Sequence, residues 1–217
     1  MFGGAASVVH TLHGAAIDNP FLVWNTLLAL IPLAFAVALF RDGVRSGALW
    51  WAGVVAWVLL LPNAPYVLTD SVHLFDDIRN SSNSMVYFGL LPVYGAFFLI
   101  GFSSYVMCLR LAHRWAVARG RGAQWFAIET MLHALCAVGV YLGRFVRLNS
   151  WDVVVSPSTV TGTLDDLARR FPLAIMFVTF VVLAVGTFVV NAVLAASADS
   201  ASRLVAGIGR SHPRKGA

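Results

Sequence analysis

Three groups of polar residues interrupt an otherwise apolar chain, and each has spacing that suits chemistry. The first is Asp70, His73 and Asp77, at steps of three and four. On a helix such steps share one face. A carboxylate beside an imidazole suits acid/base work or part of a metal site. Zinc sites ordinarily need three convergent protein ligands, so a metal at Asp70 and His73 is the less favoured reading and no cofactor is expected. The structural alternative is that Asp70 caps a helix or pairs with an arginine, while Asp76 and Asp77 are solvated. The second group is Arg144, Arg147, Asn149 and Asp152, with Trp151 among them. Arginine's planar fork suits a phosphate or carboxylate. The same arginines also suit pairing with Asp70, Asp76 or Asp152. The third group is Glu129 and His133, one helical turn apart within an apolar run. At 100° per residue, Glu129, His133, Cys136, Val140 and Arg147 share a helix face within about 40°. Ionisable residues at such depth are costly and suggest a functional site. A protonated Glu129 and a singly hydrogen-bonded His133 would equally satisfy the interior.

The elements that must position these groups are transmembrane helices. The chain has 217 residues, of which 59% are hydrophobic and 12% charged. Soluble domains carry about 25% charged residues. Long apolar runs near 21–40, 48–66, 86–109, 124–143 and 172–196 predict an all-α integral membrane bundle of five spans. Residues 1–20 read as an N-terminal interfacial segment that could form a sixth short helix, 21–196 as the bundle, and 197–217 as a disordered basic cytoplasmic tail. The N-terminal run has too few strong hydrophobes for a secretory signal, so the first span is expected to stay as an anchor. His10 and His13 read as solvated. Cys108 and Cys136 fall inside spans and read as packing residues. Thr163 to Arg170 reads as a short surface helix with Thr163 as its cap.

The formal net charge is +5. Membrane topology accounts for it better than nucleic-acid binding does. Segments 41–46, 110–123 and 197–217 hold ten of the fifteen Lys and Arg, and segments 1–20, 67–85 and 144–171 hold five. The positive-inside rule then places the N-terminus outside and the C-terminus in the cytoplasm. Arg144 and Arg147 sit on the side that disfavours arginine, which makes them more informative than those of the basic loops. Trp50 and Trp51 read as interfacial anchors.

The second span runs into Leu60-Leu61-Pro62-Asn63-Ala64-Pro65-Tyr66. Two prolines remove backbone donors and disfavour helix before them, so the span is expected to end in a shaped polar turn, with Thr69 capping a following amphipathic helix. Asn63 and Tyr66 would offer hydrogen bonds there. Segments 63–77 and 144–152 would form one polar rim on the outer side. Gly89, Gly95 and Gly101 of the third span, and Gly139 and Gly143 of the fourth, read as places of close helix approach. The chain has no Gly-rich phosphate loop, no Gly-x-Ser-x-Gly, no His-Glu-x-x-His and no Cys-x-x-Cys.

Phe21 to Pro32, Leu61 to Asp70 with His73, and Tyr141 to Asp152 together resemble the domain-of-unknown-function family number 1361, small bacterial polytopic membrane proteins. The resemblance runs from about residue 20 to 196. It implies an integral membrane protein and brings no activity, cofactor or catalytic assignment. Three functions fit the residues. One is an outer-face site for an anionic lipid or lipid-linked head group, using Arg144 and Arg147 with Asn63, Tyr66, Asn149 and Asp152, and with Asp70 and His73 as acid/base pair. Another is an ion-coupled transporter along Glu129 and His133. The third is an accessory subunit that packs its small residues against the same or another chain.

Overall fold

The computed structural model describes residues 19–43, 46–147 and 169–210, with positions 155 and 167. Helices are the only regular elements among its described residues, which contain no strand. Helix α1 is Pro20–Leu39 and α2 is Ala48–Leu60, followed by a four-residue turn of helix, α3, at Asn63–Tyr66. A tight 3₁₀ turn, Val67–Asp70, leads into α4, Ser71–Asn80. After a short turn, α5 at Asn83–Met85, a π turn at Val86–Leu90 opens α6, Leu91–Val117. A 3₁₀ turn at Gly122–Gln124 leads into α7, Trp125–Tyr141, which closes on a second π turn, Leu142–Val146. The final helix, α8, is Arg170–Arg210.

Five helical stretches are long and apolar enough to cross a membrane: Pro20–Leu39, Ala48–Asn80, Val86–Val117, Gly122–Val146 and Arg170–Ser200. The chain is a multi-pass membrane bundle. Its exposed residues are largely apolar, including Val23, Trp24, Phe88, Leu99, Phe126, Phe177 and Phe188. Such surface is stable against acyl chains and would be unstable in water. The most extensive pairings are α1 with α6 and α7 with α8.

The second span does not end at the prolines. Pro62, Tyr66, Val67 and Ser71 all keep right-handed helical angles, and the path stays helical to Asn80. Proline removes single donors without forcing the chain out of the helical region. Where Pro65 lacks an N–H, the Leu61 carbonyl accepts from the Ala64 N–H at 3.2 Å, and the Tyr66 N–H reaches the Pro62 carbonyl at 3.0 Å. The ladder tightens instead of breaking. Nor does this stretch form a rim. Leu61, Ala64, Pro65, Val67 and Asp70 are among the most buried residues of the chain. Backbone that departs from a regular α-helix is tolerated at membrane depth when protein encloses it.

Two glycines make that burial possible. A Cβ on Gly139 of α7 would stand 2.5 Å from Cγ of Pro62. One on Gly101 of α6 would stand 2.9 Å from the Ala64 carbonyl oxygen and collide with Val67. The bare backbones of α6 and α7 therefore seat the proline segment from two sides. On the α1 side, Ser104 of α6 donates to the Ala29 carbonyl at 2.7 Å, within the turn that Pro32 disturbs.

Three other boundaries move. Arg110 and Arg114 belong to α6, which continues to Val117, and not to a loop. Arg110 donates to Asn191 of α8 at 3.2 Å. Trp51 is exposed as an anchor would be, but Trp50 is buried, stacks on Trp115 at 4.6 Å and donates its indole N–H to the Leu39 carbonyl. With Phe40, Trp57 and an Arg119 guanidinium 4.0 Å over Trp115, it closes that end of the bundle. The stretch 197–210, expected as disordered tail, is the end of α8. No proline lies between Pro172 and Pro213, and alanine and leucine favour helix. Cys108 and Cys136 are free and buried, as packing residues are. Residues 1–18, Thr163 to Asp166 and 211–217 lie outside the described residues.

Substituting Gly139→Ala or Gly101→Ala is expected to lower stability by about 1–3 kcal/mol through overpacking. Gly101→Ala should be the worse, because it meets backbone as well as a branched side chain. Thermal unfolding in detergent or nanodiscs measures both, with Gly95→Ala, where a Cβ meets open space, as the neutral control.

Candidate functional site

The site grows from one carboxylate. The tight 3₁₀ turn after the prolines directs Asp70 inward, where the residue is 2% exposed. Asn25 of α1 donates its amide N–H to Asp70 Oδ2 at 2.8 Å. Arg144, on the π turn that ends the fourth span, places Nη1 3.5 Å from Asp70 Oδ1. Both carboxylate oxygens are therefore engaged, by residues 45 and 74 positions away in sequence. A buried ionised carboxylate needs such partners, because the cost of losing water is several kcal/mol. Asp70 does not cap α4. Thr69 does not cap it either, since its hydroxyl donates back to the Tyr66 carbonyl at 2.7 Å.

Below Asp70, α4 is held by two further contacts. The hydroxyl of Tyr94 on α6 donates to Asp77 Oδ2 at 2.9 Å. The exposed ring of His73 lies 5.0 Å from that of Phe21, which also neighbours Tyr94. Asp70, His73 and Asp77 thus share the face turned to α1 and α6, as their spacing predicts. Their side chains take different partners, although His73 stays close enough to Asp70 for an electrostatic interaction. Asp70 turns inward to Asn25 and Arg144, His73 packs on a phenyl ring, and no ion-pair or hydrogen-bond contact joins Asp70 to His73. The opposite face of α4 exposes Val72 and Phe75, which suits a helix lying in the interface.

The two arginines of the pair part company. Arg144 is half-buried, with a side chain 25% exposed, and faces Asp70. Arg147 is exposed. It is also the only non-glycine described residue with a positive φ, 63°. The 100° rule that placed Arg147 on the Glu129 face fails across the π turn, which inserts an extra residue per turn. A left-handed residue at the helix end then redirects the chain. Asn63 and Tyr66 are partly buried and make no side-chain hydrogen bond among the described residues. Asn149 and Asp152 lie outside the described residues.

The other polar stripe is internal. Trp125 donates its indole N–H to Glu129 Oε2 at 2.8 Å, and Glu129 Oε1 stands 3.9 Å from His133 Nε2. His133 Nδ1 is 2.7 Å from the hydroxyl of Tyr105 on α6. His133, Cys136 and Val140 are buried as one face. This stripe starts near the basic end of the bundle, and Asp70 lies at the opposite end.

Asn25, Tyr94, Tyr105 and Trp125 are the partners that spacing arguments miss. Asn25 carries the one sequence signal, a polar amide in an apolar run. The aromatic residues read as core or lipid-facing until their neighbours are known.

Asp70→Ala is expected to cost about 3 kcal/mol, because it strands Arg144 and the Asn25 amide. The double variant Asp70→Ala with Arg144→Ala should cost less than the sum of the single changes, giving a coupling that a double-mutant cycle by thermal or denaturant unfolding reads directly.

The profile of the family described as protein of unknown function (DUF1361) matches residues 24–185. No curated protein and no solved structure matches the chain. The matched stretch contains Asn25, the proline segment with Asp70, the Glu129 stripe and Arg144, and the chain belongs to the DUF1361 family.

Proposed function

We propose that the Asp70 end of the bundle binds the anionic head group of a lipid or lipid-linked molecule, on the outer side of a bacterial inner membrane. The observation that carries this reading is the state of Arg144. Asp70 meets it through one nitrogen at 3.5 Å, and the side chain is part exposed at the bundle end. A guanidinium has five donors in a planar fork, so one contact of this length leaves most of the fork for an anion. Asp70 and Asn25 act as positioning groups that hold Arg144 at this depth. Arg147, exposed one residue beyond the π turn, supplies the second positive charge. Exposed aromatic rings at Phe75, Phe145, Phe171 and Tyr87 supply interfacial contact around them. Asn63 and Tyr66 supply hydrogen-bonding groups, and His73 lies at the rim.

The positions of lysine and arginine along the chain support an outside N-terminus and a cytoplasmic C-terminus. In that orientation the anion meets the site from the outer leaflet.

Chain purified from membranes containing phosphatidylglycerol and phosphatidylethanolamine is expected to retain phosphatidylglycerol selectively. The double variant Arg144→Ala with Arg147→Ala should lose that enrichment, and Arg110→Ala should keep it. Quantitative lipid mass spectrometry reads the ratio. Equal lipid content in wild type and double variant contradicts the proposal.

A further inference from the structure

The Trp125–Glu129–His133–Tyr105 stripe has no part in anion binding at the Asp70 end. Its groups are nonetheless joined across two helices. We propose that Glu129 and His133 together bind one proton, taken up from the bundle end at which α7 begins.

The geometry sets the roles. Glu129 is the outermost ionisable member, with a side chain 24% exposed one helical turn inside Trp125. His133 lies one turn deeper and is 5% exposed, beneath the edge of the Phe180 ring of α8 at 6.1 Å. A neutral imidazole carries one ring proton, and the partner of one nitrogen fixes the state of the other. We take the neutral ring as the tautomer in which Nδ1–H donates to the Tyr105 oxygen, 2.7 Å away, so that Nε2 keeps its lone pair and faces Glu129 Oε1 at 3.9 Å. A carboxylate and an imidazole lone pair then face one another with no proton between them. The other carboxylate oxygen is fixed by the Trp125 indole N–H at 2.8 Å.

The step balances simply. A proton from water at the near end binds the Glu129 carboxylate. The O–H bond then breaks as an N–H bond forms at His133 Nε2, which leaves a carboxylate and an imidazolium side by side. In this tautomer Tyr105 accepts from Nδ1 before and after the step, so it positions the ring and does not itself lose a proton. The other titratable groups that face the pair are the Cys108 thiol on α6 and the Cys136 thiol on α7, while His113 lies behind Trp125 at 4.9 Å. Among the described residues no lysine, arginine or aspartate side chain is recorded in contact with the pair. α8 contributes the ring of Phe180. Among the described residues, Glu129 and His133 are the carboxylate–imidazole pair in the interior of this half of the bundle.

The test uses the full chain in nanodiscs with ¹⁵N-labelled histidine, read by solid-state NMR across pH. The His133 signals are assigned by their loss in His133→Asn. In wild type the Nε2 signal should pass from unprotonated to protonated as pH falls, while Nδ1 stays protonated. Glu129→Gln should displace that transition, and Glu129→Asp should displace it less. Tyr105→Phe should change the tautomer of the neutral ring, an effect that a purely packing role for Tyr105 would not produce. A His133 signal that never titrates, or a transition unchanged in Glu129→Gln, overturns the proposal. Should Glu129→Gln fail to fold, Glu129→Asp carries the same decision, since an unmoved transition there also overturns it.

Discussion

A carboxylate buried in a membrane protein must be satisfied by protein, and Asp70 is where this chain meets that demand. Its two oxygens draw Asn25 from the first span and Arg144 from the end of the fourth to one point on the second. Asp70 could not lose either partner cheaply, because at 2% exposure its carboxylate has no water at hand to replace it. The irregular elements gather around this point. The proline-tightened turn, the 3₁₀ stretch Val67–Asp70 and the π turn Leu142–Val146 each depart from the regular helix close to the Asp70–Arg144 contact. Departures of this kind aim side chains that a straight helix would point elsewhere.

The glycine seats are the packing side of the same constraint. Asp70 can reach inward only because Pro62, Ala64 and Val67 sit directly against the backbones of α6 and α7. A helix that approaches this closely gains dispersion contacts, which matter more in lipid than in water. At the other end of the molecule, the Phe40, Trp50, Trp57 and Trp115 cluster does the holding with rings in place of charges. The two ends are thus chemically distinct, one organised by an ion pair and one by aromatic packing with Arg119 over it.

The spans were legible in the sequence because bilayer thickness demands long apolar runs whatever the packing. That 61–70 would depart from a regular helix was legible too, since two prolines followed by an aspartate disturb the ladder of a span. What those residues do was not. Pro62 and Pro65 read as stops because each removes a donor, yet three-residue hydrogen bonds from Ala64 and helical angles at Tyr66 carry the chain through. Pairing of Asp70 with an arginine stood among the sequence readings, but nothing there singled out Arg144 over Arg147. The choice depends on a π turn, which shifts the helical register and has no periodic signature. Asn25 and Tyr94 meet their carboxylates only in three dimensions, 45 and 17 residues away.

The whole arrangement depends on the contact between Asp70 and Arg144. Dipolar recoupling between the Asp70 carboxylate carbon and the guanidinium nitrogens of Arg144 tests it most directly, on the full chain in lipid bilayers, with the signal assigned by its loss in Asp70→Asn and in Arg144→Lys. A short-range coupling that both substitutions abolish is expected. An Asp70 carboxylate coupled to no arginine nitrogen would contradict it.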